Sequence, residues 1–328
     1  MIRETAGVWL AVATVALAAC GSCSSSSGST LGGGGDGGPG DSSAVEAGPS
    51  ATQACSDFAT ALCGRLEACT PFAVQVAYGD ATTCAQRTAL ACAPALAAGG
   101  TKASPDDMEA CAAAINAETC DEALDNAQPS ACNIPGSLAA GAPCGSNGQC
   151  STSFCQLAKN SACGTCASHP SAGATCVVDT DCQATLVCNS GTCVGPAASG
   201  SACSASQPCL RSLSCIGGTC KTPVAAGGAC TAQTDCDGAH GGFCNTQTKQ
   251  CAQTQVASAG QPCGIVGSNL VACSSGGACN IMADGGGQGT CHQPAGDGAP
   301  CGPGIACMAP AVCIATARCT IMDPGTCH

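Results

Sequence analysis

Thirty-six cysteines in 328 residues constrain this chain more than any other feature. Disulfides persist only where thiols are not kept reduced, so the count places the folded chain outside a cytosol. Little else is available to build a core: aromatic residues make up 2% and charged residues 9%, and Ala and Cys supply much of the 45% hydrophobic fraction. Ala buries little area at ~25 cal/mol per Å², so crosslinks have to supply what packing cannot.

From residue 141 the cysteines repeat. Six units open Gly-x-x-Cys: Gly141 to Cys144, Gly173 to Cys176, Gly200 to Cys203, Gly227 to Cys230, Gly260 to Cys263 and Gly298 to Cys301. A period of this kind marks an array. The cleanest copies, CVVDTDCQATLVCNSGTC (176–193) and CSASQPCLRSLSCIGGTC (203–220), share identical cysteine spacings. Units of 27 to 38 residues fall below the ~40 at which a chain usually folds without metals or crosslinks. Four cysteines allow three pairings. Joining first with third and second with fourth encloses more chain than sequential pairing, so the expectation is Cys176 with Cys188, Cys182 with Cys193, Cys203 with Cys215 and Cys209 with Cys220. Asn189-Ser190-Gly191 and Gly217-Gly218 read as tight turns, with Leu186–Cys188 set against Thr192–Val194 in the first case. Short hairpins, little helix and no deep pocket follow.

Residues 55–135 differ in texture. Eight cysteines accompany helical spacing, and ten acids stand against three bases, a net of −7 over 55–132. In CSDFATALCGRLEAC, Cys55, Phe58, Leu62, Leu66 and Cys69 form one stripe of an amphipathic helix. A second helix is expected from Asp80 to Cys92. A third is marked by Ser104 as N-cap, Pro105 at the first helical position and Asp106 and Asp107 in the first turn, with Met108, Cys111, Ala112 and Ile115 on one face. A short fourth runs near Cys120 to Asn126. The fold class is therefore small and disulfide-rich: a short disulfide-stapled all-α domain (55–135), then an array of about six cysteine-rich repeats (141–328) with short β-hairpins and little regular structure.

The opening stretch gives an address. Arg3 precedes an apolar run, Val8 to Leu17, too short to span a bilayer of ~30 Å, as expected of a signal peptide over residues 1–19. The run ends Leu17-Ala18-Ala19-Cys20, which resembles the bacterial lipobox; that resemblance implies that Cys20 is acylated and becomes the new N-terminus. Stable anchoring takes two or more acyl chains, so the chain is expected to be tethered to the membrane without spanning it. Because Gly21 rather than Asp follows the cysteine, the same resemblance implies an outer-membrane or cell-surface address. Residues 20–54 then form a lipidated cysteine and a Gly/Ser-rich tether, whose composition predicts a flexible coil with a reach of about 30 Å. With Cys20 acylated, the helical section holds eight cysteines and the array 26, both even. Cys23 is left over, so 17 internal disulfides and one free or intermolecular thiol are expected.

The first unit, CGSNGQCSTSFCQLAKNSACGTC (144–166) followed by Cys176, resembles the cysteine pattern of the Dickkopf N-terminal cysteine-rich domain, and later units look like shortened copies. Spacing is the whole likeness. Anchor, tether, helical disulfide domain and array together resemble a type of bacterial cysteine-rich lipoprotein. Dickkopf proteins are secreted, receptor-binding antagonists, but no binding residue carries over; the likeness implies a scaffold.

Several chemistries can be weighed against that scaffold. Cys163-Gly-Thr-Cys166 has thioredoxin-type spacing, which makes a periplasmic thiol-disulfide redox protein the alternative function, though no strand and helix flank the pair. His169 follows it, but oxidised cysteines do not ligate zinc. Asp179 with Asp181, or Asp235 with Asp237, could serve calcium, yet two carboxylates are few and Asp at turns bonds locally. His169, His240, His292 and His328 sit in Gly or Pro contexts outside any GxSxG or HExxH pattern. The expectation is a non-enzymatic protein without cofactor or metal. A formal charge of −12 disfavours nucleic acid, leaving an extracellular or envelope protein or glycan as partner.

Overall fold

The computed structural model describes residues 48–125, 128–157, 161, 163–281, 287–302, 304–313 and 317–327. Cys20, Cys23, the signal segment, most of the tether, Asn126 and His328 lie outside the described residues.

Among the described residues five helices come first: α1 (Ala51–Cys69), α2 (Pro71–Ala77), α3 (Ala81–Ala97), α4 (Pro105–Ala117) and α5 (Cys120–Leu124). Side-chain caps start four of them. The Ser50 hydroxyl accepts from the Gln53 amide and the Asp80 carboxylate from the Thr83 amide. Ser104 with Asp107, and Thr119 with Glu122, form reciprocal capping boxes. Helix α3 outruns the Cys92 boundary read from the sequence. It passes through Pro94 to Ala97 because Ala95 and Leu96 are buried and hold the last turn in place, against the lost N–H and the ring clash that a proline inside a helix brings. Helix α2 is absent from the sequence reading, since PFAVQVA carries no charged face to show its period. Helix α5 stops at Leu124, short of Asn126.

The helices form a hub with two small cores. Phe58, Leu96, Met108 and Ile115 fill one, with several alanines and the Cys55–Cys92 and Cys111–Cys132 bridges between them. Val74, Tyr78, Cys63 and Cys84 form the other, against which Ala309 of the sixth unit packs. The remaining hub bridges are Cys63–Cys84 and Cys69–Cys120. Loops of 21 to 51 residues closed in this way are worth about 3–4 kcal/mol each in the chain-entropy picture.

Strands β1 to β16 follow, from Pro143–Cys144 to Cys319–Thr320, almost all in short antiparallel pairs. In the second unit β4 (Val187–Asn189) pairs with β5 (Thr192–Val194), one residue later at its start than the sequence suggests. The turn explains the shift: Ser190 and Gly191 both have positive φ, 52° and 83°, the two-residue geometry that matches strand twist. The fifth unit departs most. Its first two cysteines are ten positions apart, against six in the cleanest copies, and the extra chain adds strands to a five-stranded sheet of β10 (Gln255–Ala257), β11 (Pro262–Val266), β12 (Asn269–Cys273), β13 (Ala278–Ile281) and β14 (Gln288–His292), ordered β10-β12-β11-β14-β13.

The units share one frame. Each opening glycine, Gly141, Gly173, Gly200, Gly227, Gly260 and Gly298, has φ between 74° and 86°. Each donates its N–H to the carbonyl of its unit's last cysteine (Cys166, Cys193, Cys220, Cys251, Cys291 and Cys319), at 2.7–2.8 Å. That cysteine's own N–H returns to the residue after the glycine, at 2.8–2.9 Å.

The array does not run off as a rod; it is laid around the hub. Just before unit one, Ser137 donates from its amide and hydroxyl to the Gly100 carbonyl. In unit three, Ser212 donates from both groups to the Asp125 carboxylate, at 2.9 Å each. Gly241 of unit four approaches so closely that a Cβ there would lie 2.7 Å from the Phe72 ring. The Ser275 and Gly276 amides of unit five extend the C-terminal end of α2, bonding the Gln75 and Val76 carbonyls. Arg87 of α3 holds unit six through both Asp297 oxygens, at 2.6 and 2.7 Å, and through the Ala309 and Met308 carbonyls. Unit two is carried by its neighbours, through Asp179–Arg211 and Asn189 to the Ala205 carbonyl.

Candidate functional site

All 34 cysteines from Cys55 to Cys327 are bonded, in 17 disulfides: four within the hub and 13 within the array. No bridge joins hub to array. Within the units the pairs are first with third and second with last, including Cys176–Cys188, Cys182–Cys193, Cys203–Cys215 and Cys209–Cys220. These local bonds span 11 to 18 residues.

Cys163 and Cys166 correct the redox reading. They do not pair with each other: Cys166 bonds Cys150 within unit one, and Cys163 bonds Cys327 across 164 residues. The reason is local. Gly164–Cys166 is a strand, β3, between β1 and β2 (Cys155–Leu157), and the pairing of Cys155 with Cys166 fixes Cys166 in the unit's own cystine frame. Cys163 stands just outside that strand and meets the segment beyond unit six.

Gln149 joins the parts that meet at this closure. Its side-chain oxygen accepts from the Gly145 and Ser146 amides, and its nitrogen donates to Gly99 of the hub at 2.8 Å and to Pro324 of the closing turn at 3.5 Å. Gly145 lies so close that a Cβ there would be 2.6 Å from the Pro324 Cα.

The acids weighed for calcium are occupied by the backbone. The Asp181 carboxylate accepts from the Val177 and Val178 amides, and Asp235 accepts from the Thr231 amide and hydroxyl and the Ala232 amide. Burial opposes ionisation of Asp235, but these hydrogen bonds outweigh it and hold the carboxyl below its ordinary value. Two residues before Asp181, Asp179 accepts from the Cys188 amide, as Asn147 does from Cys155 and Gln233 from Cys244. Units one, two and four thus share a device that sequence reasoning missed. One polar side chain before the second cysteine caps the first turn, and another, two positions earlier, caps the third cysteine. Its trace was legible in Asn147-x-Gln149, Asp179-x-Asp181 and Gln233-x-Asp235.

Three-sulfur clusters such as Cys144, Cys150 and Cys166 lie within 4.8 Å of one another, but each sulfur belongs to a disulfide and has no thiolate to give a metal. His169 sits between units one and two, its ring stacked on Phe154 at 4.5 Å and its Nδ1 3.0 Å from the Asp181 carbonyl. Asp237 pairs with His240 Nδ1 at 2.8 Å in a shallow groove of about 280 Å³ lined also by Ala225, Ala226, Gly242 and Gln253. His292 lies in β14 (Gln288–His292). Among the described residues no helix is long and apolar enough to cross a membrane. In comparisons with family models, curated proteins and solved structures, nothing matches this chain.

Proposed function

We propose that this chain is an exported, lipid-anchored, non-enzymatic protein of the cell envelope or surface. Its disulfide-rich ectodomain acts as a binding or structural module for an envelope or extracellular protein or glycan. The observation that carries the reading is the complete pairing of the 34 cysteines between Cys55 and Cys327, which suits an oxidising compartment. The hub encircled by its array favours a compact head on a tether over an extended spacer. We read the repeats as a scaffold of the Dickkopf N-terminal type, on spacing alone, and the outer membrane as the site of anchorage, on Gly21.

The test is fractionation of cells producing the chain or its Cys20→Ala variant. The parent is expected to stay with membranes through a carbonate wash, and the variant to be released. A variant that still pellets would overturn the anchor. The redox alternative is addressed separately: the oxidised ectodomain should not accelerate the reduction of insulin by a dithiol, and catalytic turnover would sink the non-enzymatic reading.

A further inference from the structure

We infer that the Cys163–Cys327 disulfide is a releasable latch that sets whether the array is a closed ring around the hub or an open chain of units hinged on it. Of the 13 array bridges, 12 join cysteines 11 to 18 residues apart inside one unit, whereas this one spans 164 residues and ties unit one to the turn beyond unit six. Opening a local bridge leaves its two sulfurs held together by the hairpin and glycine frame of that unit. Opening the latch leaves two sulfurs related only through the hub contacts and a long run of chain. Closure entropy grows with the length of chain a bond encloses, so re-forming the long loop is less favoured than re-forming a 12-residue one. Access decides which sulfur is attacked rather than which bond opens first: Cys163 is partly exposed, while Cys327 is 7% exposed. What the latch fastens is the three-way meeting at Gln149, where Gly99 of the hub and Pro324 of the closing turn share one side-chain amide.

The reductant is a dithiol. One of its thiolates attacks the Cys163 sulfur, forming a mixed disulfide and releasing Cys327 as a thiolate. Its second sulfur then attacks the mixed disulfide and releases Cys163. Two electrons pass to the protein, the two protons of the dithiol end on Cys163 and Cys327, and the dithiol leaves as a disulfide.

The inference does not depend on the anchor. It is tested on the purified, fully oxidised protein, titrated with dithiothreitol under native conditions, alkylated and mapped by mass spectrometry. Cys163 and Cys327 are expected to be labelled at a lower reductant concentration than any local bridge. At the same step the hydrodynamic radius should rise, and the Ser137 amide, which bonds Gly100, should lose protection from hydrogen exchange. A Cys163→Ser, Cys327→Ser variant that folds should show the larger radius without reductant. The latch is refuted if Cys176–Cys188, whose sulfurs both belong to partly exposed residues, opens at the same reductant concentration or earlier. It is equally refuted if Cys163–Cys327 opens with radius and Ser137 protection unchanged.

Discussion

Asp235 shows how single residues hold a unit that has almost no core. It is 3% exposed, and its carboxylate satisfies three donors in the first turn of unit four. Replacing it with Ala leaves those donors without a partner and should cost about 1–3 kcal/mol, read as faster exchange of the Thr231 and Ala232 amides. A folded carboxyl held below its ordinary value contributes stability that is complete above the unfolded value, near pH 4, and is lost as pH falls through the lowered folded value. Exchange at those amides should therefore report unchanged stability from pH 7 to about 4 and a decline below it. A decline that begins well above about pH 5 would show that another group is responsible. The opening glycines act at the same scale through backbone alone. Gly200 has φ 80°, and a Cβ at that position would meet nothing within 4 Å, so Gly200→Ala should cost about 1–2 kcal/mol by conformation only, seen as opening of Cys203–Cys215 at lower reductant. The Gly-x-x-Cys repeat was plain in the sequence, but not the reason for it, because the matching acceptor is the carbonyl of the unit's last cysteine, whose position depends on a folded hairpin. The acids are equally visible, but a carboxylate near a turn looks the same in sequence whether a calcium ion or three donor groups will meet it.

Among the elements, α4 shows what local sequence can specify. Ser104, Pro105 and Asp107 supply cap, first-turn geometry and reciprocal acceptor, and the structure joins Ser104 and Asp107 through both halves of a capping box. Ser104→Ala should remove about 1 kcal/mol, measurable as a lower midpoint of thermal unfolding with the Cys111–Cys132 bridge intact. A midpoint unchanged within error would mean that the hub bridges alone define α4. Elements that depend on contacts with the rest of the chain were less legible. Helix α2 gains its support from outside, where Phe72 meets Gly241 and the amides of unit five continue its last turn. The final turn of α3 forms past Pro94 because the hub core takes Ala95 and Leu96. In the fifth unit, strand β12 (Asn269–Cys273) pairs with β11 (Pro262–Val266) on one side and in parallel with β10 (Gln255–Ala257) on the other, an arrangement no spacing of cysteines encodes.

At the scale of the whole molecule, parity of the cysteine counts limits the number of bonds but cannot show which distant unit meets which, and the cysteines that close the ring carry no mark of their own. The same holds for the contact that secures unit six. Arg87 and Asp297 are 210 residues apart, and nothing near either announces the other. In the structure the Arg87 side chain is 12% exposed and Asp297 is 41% exposed, and the hydrogen bonds from Arg87 hold the Asp297 carboxyl below its ordinary value. The ion pair is therefore open to solvent on its acidic side and weakened accordingly, while the bonds from Arg87 to the Ala309 and Met308 carbonyls are partly buried. From this asymmetry Arg87→Ala should cost about 2 kcal/mol, since it strips charge-assisted bonds from two carbonyls as well as from Asp297, whereas Asp297→Asn should cost less than about 1 kcal/mol. Arg87→Lys should not restore the contact, because an ammonium cannot bond two carboxylate oxygens and two carbonyls from one planar fork. Calorimetry of the oxidised protein separates the cases. The parent should unfold in one transition, with hub and array coupled. Arg87→Ala and Arg87→Lys should both lower its midpoint and broaden it as unit six loosens from α3. If Asp297→Asn proves as damaging as Arg87→Ala, the surface ion pair rather than the buried carbonyls fastens the ring to the hub at this point.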